Sequence, residues 1–220
     1  DGKAGFDPVK DFAPITLLAT VNNLLVVHPS LPVKSVRELI AFAKARPAQV
    51  TFASGGPGGA QHLAGELFNS MAGIKMTHIP YRGSAPGLTA LIGGEVIVGF
   101  SDMLISLQHV KSGKLRALAV TGAERSALIP ELSTIAESGL PGYAVTAWFG
   151  LLAPAGTPPD IIAQINSEVV KSFRTPQMKE RLAALGADPV GSTPDQLAAF
   201  IKTEMAKWAK VVKAAGIRAE

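Results

Sequence analysis

The chain has no cysteine, few aromatic residues and no long apolar run, and each shortage removes a class of explanation. Without cysteine the fold cannot rest on disulfides or on thiolate metal ligands. Aromatic residues make up 6% of the chain, too little stacking surface for a single-stranded nucleic acid. Lys and Arg outnumber Asp and Glu by 21 to 17, but they are scattered over helical faces instead of gathered in a stripe, so nucleic-acid binding is not expected. No segment approaches the roughly 18 consecutive apolar residues of a membrane span, and the polar opening Asp1-Gly2-Lys3-Ala4-Gly5 is not a signal peptide. What is abundant is apolar residue: 47% of the chain is hydrophobic and 17% charged, the latter below the usual figure of about 25%. At 220 residues such a chain can bury a large core without metal or disulfide support.

Apolar β-rich runs alternate with amphipathic helical patterns, which predicts an α/β fold with parallel or mixed sheets. Strands are expected at Ile15 to Thr20, Leu24 to His28, Val50 to Ala53, Lys75 to Ile79, Val96 to Phe100, Leu115 to Val120 and Ala144 to Ala153, with a short one at Asp188 to Val190. Helices are expected from Ser35, where Ser35-Val36-Arg37-Glu38 forms a capping box, and over Ala60 to Met71, from about Ser84, and over Met103 to Lys111. A brief helix is expected after Thr134. Thr157-Pro158, Thr175-Pro176 and Thr193-Pro194 each place a capping threonine before a first-turn proline. The pattern divides into a middle α/β lobe, residues 23–145, and a lobe built from both flanks, 1–22 and 146–220. Two extended crossings would form a hinge, with a small-ligand cleft between the lobes.

The most informative stretch is Ser54-Gly55-Gly56-Pro57-Gly58-Gly59-Ala60-Gln61, a glycine-dense turn from a strand into a helix. Glycine lets a ligand approach the main chain closely, and the first helical turn carries unsatisfied N–H groups and the positive end of the dipole. Such a turn points to an anion; a tight connection that binds nothing is the competing reading. Tyr81-Arg82-Gly83-Ser84 repeats the arrangement before the next helix, and Ser101-Asp102 precedes a third. Open sheets bind ligands at this carboxyl edge. The candidate ligand-binding residues are therefore Ser54, Gly55, Gly58, Gly59, Ala60, Gln61, Tyr81, Arg82, Gly83, Ser84 and Asp102, with Trp148 and Phe149 as candidate apolar walls. Asp102 either accepts from a ligand hydroxyl or ammonium or caps its own helix; the aromatic residues either wall the cleft or pack in the core.

Enzyme signatures are incomplete. The glycine turn lacks the last glycine of a dinucleotide fingerprint and the Lys-Ser/Thr of a phosphate loop. Gly99-Phe100-Ser101-Asp102-Met103 has the placement of a nucleophile elbow without its second glycine. His28, His62, His78 and His109 show no i,i+4 pairing among themselves. No catalytic residue, metal site or cofactor is assigned. A small serine hydrolase using Ser101 or Ser84 stands as the alternative class, and a module that pairs with a second copy through an exposed sheet edge as a third.

Four segments together carry a resemblance that covers essentially the whole chain: Ser54 to Phe68, His78-Ile79-Pro80-Tyr81-Arg82-Gly83-Ser84-Ala85-Pro86, Gly113 to Thr121, and Ala153-Pro154-Ala155-Gly156-Thr157-Pro158. They resemble the Bug family of solute-binding proteins, the receptors of tripartite tricarboxylate transporters. The resemblance implies a two-lobe, type II periplasmic-binding-protein fold. It further implies a periplasmic, non-enzymatic receptor for a small carboxylate, with membrane transporter subunits as partners. It implies that backbone amides in the segment matching Ser54 to Gln61 hold the carboxylate, with Gly59 standing where a serine is common in the family. A signal peptide, a first strand and a second, Pro/Gly-rich clamp loop would precede the match to Phe6, leaving the flank lobe without its N-terminal part.

Overall fold

The computed structural model describes residues 5–217; the expectations that fall on residues 1–4 and 218–220 lie outside it. The elements are β1 (Phe12–Val27), α1 (Val36–Ala45), β2 (Thr51–Ser54), α2 (Ala60–Ala72), β3 (Thr77–Pro80), α3 (Ser84–Gly93), β4 (Val98–Asp102) and α4 (Met103–Lys111). Then follow β5 (Arg116–Val120), β6 (Thr146–Pro154), α5 (Pro159–Phe173), α6 (Pro176–Ala184), β7 (Ala187–Pro189) and α7 (Pro194–Ala215). Contacts group the described residues into two compact units: one holds residues 5–21 with Ala147–Lys210, the other Asn22–Thr146 with residues 211–217.

In the larger unit the strand order is β3-β2-β4-β1-β5. β2 runs parallel to β3 and β4, whereas β1 is antiparallel to both β4 and β5. The sheet is thus mixed, within the expected α/β fold of parallel or mixed sheets. One consequence matters for function: β2, β3 and β4 end at one edge, and α2, α3 and α4 begin there. Phe52, Phe68, Phe100 and Tyr143 form a fully buried aromatic cluster with centroid separations of 5.8 to 6.2 Å. Each such side chain contributes on the order of 2–3 kcal/mol of burial free energy. The Tyr143 hydroxyl donates to the Ala64 carbonyl at 3.0 Å, tying the cluster to α2. Tyr143→Phe is expected to lower stability by about 1 kcal/mol, read from the urea midpoint, because the hydrogen bond is lost while the ring stays packed.

In the smaller unit β6 pairs with β1, and Ala19, Thr20 and Val21 pair antiparallel with β7. Ser192 pins this unit: its hydroxyl accepts from the Leu17 amide at 2.8 Å and its carbonyl accepts from Thr16 Oγ1 and Asn166 Nδ2, each at 2.8 Å. Ile15, Ala153 and Ile162 form one apolar cluster, and Leu17, Leu197 and Ile201 a second.

Several expectations change in the folded chain. The two strands expected before His28 are one, since Val21 pairs with β7 and Asn23 with β4, which keeps the backbone between them extended. Thr175 and Thr193 cap α6 and α7, accepting from the Met178 and Gln196 amides. Thr157 does not cap α5; its hydroxyl donates to the Pro154 carbonyl, and the helix opens one residue later, at Pro159. A residue preceding proline is disfavoured in the α region, so Pro158 stays extended. Around Thr134 both capping-box bonds form, Thr134 N to Glu137 and Glu137 N to Thr134, yet only turns follow, because Gly139 and Pro141 cut the segment short.

Candidate functional site

The carboxyl edge of the larger unit is built by two loops zipped together. The Tyr81 amide donates to the Ser54 carbonyl at 2.9 Å and the Gly83 amide to the Gly55 carbonyl at 3.0 Å. Gly83 takes φ +105°, a conformation closed to most side chains, and this turns the chain into α3 beside Gly55. Gly55 leaves no room in return: a Cβ there would lie 2.9 Å from the Ser84 nitrogen.

The glycine turn spends most of its own donors. Gly55 N donates to Gln61 Oε1 at 2.9 Å, Gly56 N to Ser54 Oγ at 3.1 Å, Gly58 N to His62 Nδ1 at 3.0 Å, and Gly59 N to the Gly56 carbonyl at 3.4 Å. Ser54 is 1% exposed, and its hydroxyl also contacts His78 Nε2 at 2.6 Å and the Gly56 carbonyl. The amides of Gly55, Gly58 and Gly59 and the Ser54 hydroxyl, expected to face a ligand, are thus engaged within the loop. The donors left over sit one step further along. Among the described residues no protein acceptor meets the amides of Ala60, Gln61 and His62 at the start of α2, or those of Ser84 and Ala85 at the start of α3. Neither helix has a side-chain cap.

These two helix starts flank a shallow cleft, open to solvent and lined by Ala53, Gln61, Ser84, Gly87, Leu88, Leu91, Gly99, Phe100 and Ser101. Of the candidate residues, Gln61 and Ser84 lie on this lining. The apolar floor was not foreseen, because Leu88 and Leu91 read as an ordinary helix face. Arg82 is exposed beside the pocket loop, and Tyr81 packs against the core cluster of Leu24, Ala53 and Leu91. Asp102 stands at the N-cap of α4 without capping it. Trp148 belongs to the smaller unit, where it is half-buried and packs edge-on to Phe200 at 5.4 Å; Phe149 is 57% exposed.

The sequence reading missed how His62 and His78 meet. Their rings stack at 3.6 Å beneath the glycine turn, one holding Gly58 and the other Ser54. Burial lowers the pKa of both, and for His78 burial together with the neighbouring His62 brings it to about 4. Unfolding frees each histidine to bind a proton near its ordinary value of 6.5. Stability should therefore be undiminished above pH 6.5 and fall as the pH drops toward 4, by about 1 kcal/mol after allowance for solvent screening. Glu66 Oε1, 3.8 Å from His62 Nε2, works in the opposite sense, since burial raises its pKa and its contribution is lost as pH rises. Urea midpoints at pH 7.5 and 5.0 check the net fall, and His78→Gln should flatten it.

Among the described residues neither Ser84 nor Ser101 hydrogen-bonds to a histidine; the histidine contacts at this edge go to Ser54 and Gly58. What the edge offers is unsatisfied N–H groups and hydroxyls around an apolar floor, suited to an acidic ligand. Residues 2–217 match the Tripartite tricarboxylate transporter family receptor (TctC) family. The chain belongs to this family. It is 39% identical over 210 residues to protein BugT of Bordetella pertussis (strain Tohama I), covering 96% of this chain and 64% of BugT. Its fold is similar to that of R. palustris Rpa4515 with adipate (TM-score 0.80, 39% identity, 98% of this chain and 72% of that one). It is also similar to MatC (Rpa3494) from Rhodopseudomonas palustris with bound malate (TM-score 0.74, 31% identity, 96% and 72%). The chain thus spans a little under two thirds of the length of BugT. Among the described residues no helix is long and apolar enough to cross a membrane, in keeping with the sequence.

Proposed function

We propose that this TctC-family chain binds a small dicarboxylate as the ligand-holding part of a periplasmic receptor serving a tripartite tricarboxylate transport system. One observation carries the reading: the acceptor-free amides of α2 and α3 converge on one pocket with the Ser84 and Ser101 hydroxyls. Charge-assisted hydrogen bonds to such preorganised donors exceed neutral ones in strength, and the dipoles of both helices favour negative charge at the same point. Gln61 contributes twice, its side-chain oxygen bracing Gly55 while its amide nitrogen stays available to a ligand oxygen. The bound adipate and malate of the two related structures support a ligand with two carboxylates. The TctC family description supports the transport role and, with it, the membrane partner and the periplasmic setting. The protein then acts by binding and delivery, without chemistry on the ligand.

A thermal-shift and calorimetric screen of di- and tricarboxylates tests this. A ligand at about 100 times its Kd raises stability by about 2.7 kcal/mol, which is readily visible as a melting shift. A flat response to the whole panel would refute the reading.

A further inference from the structure

We propose that His62 is a proton-sensitive positioning residue for the ligand: neutral, it holds the Gly58 amide and so fixes the turn that leads into α2; protonated, it lets that turn go, and the chain releases its carboxylate in acid. This rests on the carboxylate-receptor reading and adds regulation to it.

The tautomer follows from the geometry. Gly58 N donates to His62 Nδ1 at 3.0 Å, and because an amide hydrogen only donates, Nδ1 carries a lone pair and the ring's hydrogen sits on Nε2. A second proton can go only to Nδ1, where it would face the Gly58 hydrogen, donor against donor. The bond is then lost outright. On the other side of the ring lies Glu66, its Oε1 3.8 Å from Nε2, placed to draw an imidazolium away from Gly58. His62 thus stands between two partners, and a proton chooses between them.

The turn has little else to hold it. Residues 56–59 are Gly-Pro-Gly-Gly, with no polar side chain to anchor their backbone. Ser54 Oγ secures Gly56, and Gly59 N reaches only the Gly56 carbonyl within the same turn, at 3.4 Å. Among the described residues His62 is therefore the one side chain that ties Gly58 or Gly59 to the rest of the protein. Gly59 is the N-cap of α2, whose first amides are those assigned to the ligand, so slack at Gly58 is felt one or two residues away.

The groups facing the ring decide when the proton arrives. His78 of β3 stacks on His62 with 3.6 Å between centroids and 10° between planes, so a charge on either ring is unfavourable for the other. Phe52 of β2 lies 6.3 Å from the same ring, with Phe100 of β4 against its other side. Glu66 is the one carboxylate in contact among the described residues; Arg82 and Asp102, in the neighbouring loops, make no hydrogen bond or ion pair with either imidazole. Burial lowers the His62 pKa, which keeps the ring neutral and the turn held at pH 7.5 and confines release to pH below 6.5. A proton here also brings positive charge beneath an anion, which favours the ligand. Glu66 offsets that charge, whereas the loosened turn acts on the ligand's own contacts.

Isothermal titration at pH 7.5 and 5.0 with adipate and L-malate, or with whichever carboxylate of the panel stabilises the chain if neither does, compares wild type with His62→Asn. Asparagine places an oxygen near the Nδ1 position and takes up no proton, and the ligand's own titration is common to both proteins. Between the two pH values wild type should lose about fivefold more affinity than the variant. Should His62→Asn fold poorly, Glu66→Gln, which removes the imidazolium's partner, takes its place and should shrink the acid loss about twofold by moving it to lower pH. An equal loss in wild type and variant, or a wild type that gains affinity in acid relative to it, overturns the proposal and leaves the receptor reading standing. Failure of wild type to bind any carboxylate at pH 7.5 overturns both.

Discussion

Replacing Gly55 with alanine should weaken carboxylate binding by about a hundredfold while leaving the fold in place. The added methyl would sit 2.9 Å from the Ser84 nitrogen and 3.0 Å from the Gly83 carbonyl carbon, both main-chain atoms that cannot swing aside. The start of α3 must retreat instead, carrying with it the Ser84 and Ala85 amides and the Ser84 hydroxyl. Gly55 itself does not adopt positive φ, so alanine is tolerated by its own backbone and the disturbance falls on the site. A hundredfold loss corresponds to about 2.7 kcal/mol, the worth of one or two charge-assisted hydrogen bonds put out of reach. Calorimetry with a carboxylate that stabilises wild type gives the answer, and an unchanged Kd would move the site away from this edge. Gly58→Ala is the contrast: nothing lies within 4 Å of its added methyl, and the Gly58 amide is already committed to His62. At φ +72° that variant should cost stability on the order of 1 kcal/mol and leave affinity nearly intact.

Gly65→Ala should produce the largest loss of stability. Alanine is the better helix former by about 1 kcal/mol, and Gly65 lies within α2, so propensity alone favours the substitution. Packing opposes it. The new methyl would fall 2.2 to 2.7 Å from three ring atoms of Phe52. Phe52 is fully buried, with Phe100 on one side and the stacked His62 and His78 on the other, so the ring has nowhere to go. Lifting α2 from β2 would also strain the Tyr143 bond to Ala64. Overpacking of this severity outweighs propensity and should leave a net cost of about 2 kcal/mol, a fall in Tm of roughly 5 °C. A variant that melts at or above the wild-type temperature would show that α2 can rise from the sheet at little cost.

Much of the larger unit was legible because its signals are local. The bounds of α4 follow from its own apolar spacing, and α1 begins where Ser35 accepts from Glu38 N at 3.2 Å. Glu38, however, reaches back to the Lys34 amide and not to the cap itself. The glycine turn was correctly placed between a strand and a helix, and its neighbour before Ser84 likewise. How their amides are used is not a local matter. Whether a glycine N–H faces a ligand depends on whether Gln61, His62 or Ser54 folds back onto it, and rotamers are chosen by packing. The histidine pair escaped notice for a related reason. His62 and His78 lie on different elements, and a scan for i,i+4 spacing cannot see a stack made when α2 lies over β2 and β3.

The order of strands and helices, the capping threonines of α6 and α7, and the presence of two donor-rich turns before α2 and α3 were written in residues within a few positions of one another, where sterics and local hydrogen bonds decide. The direction of β1, the pairing of Asn23 with Asp102, and the division of amides between those spent on the loop and those left for a ligand came only with tertiary structure. Each of these depends on atoms far apart in the chain competing for the same donor or the same volume, and that competition has no outcome until the sheet has closed around it.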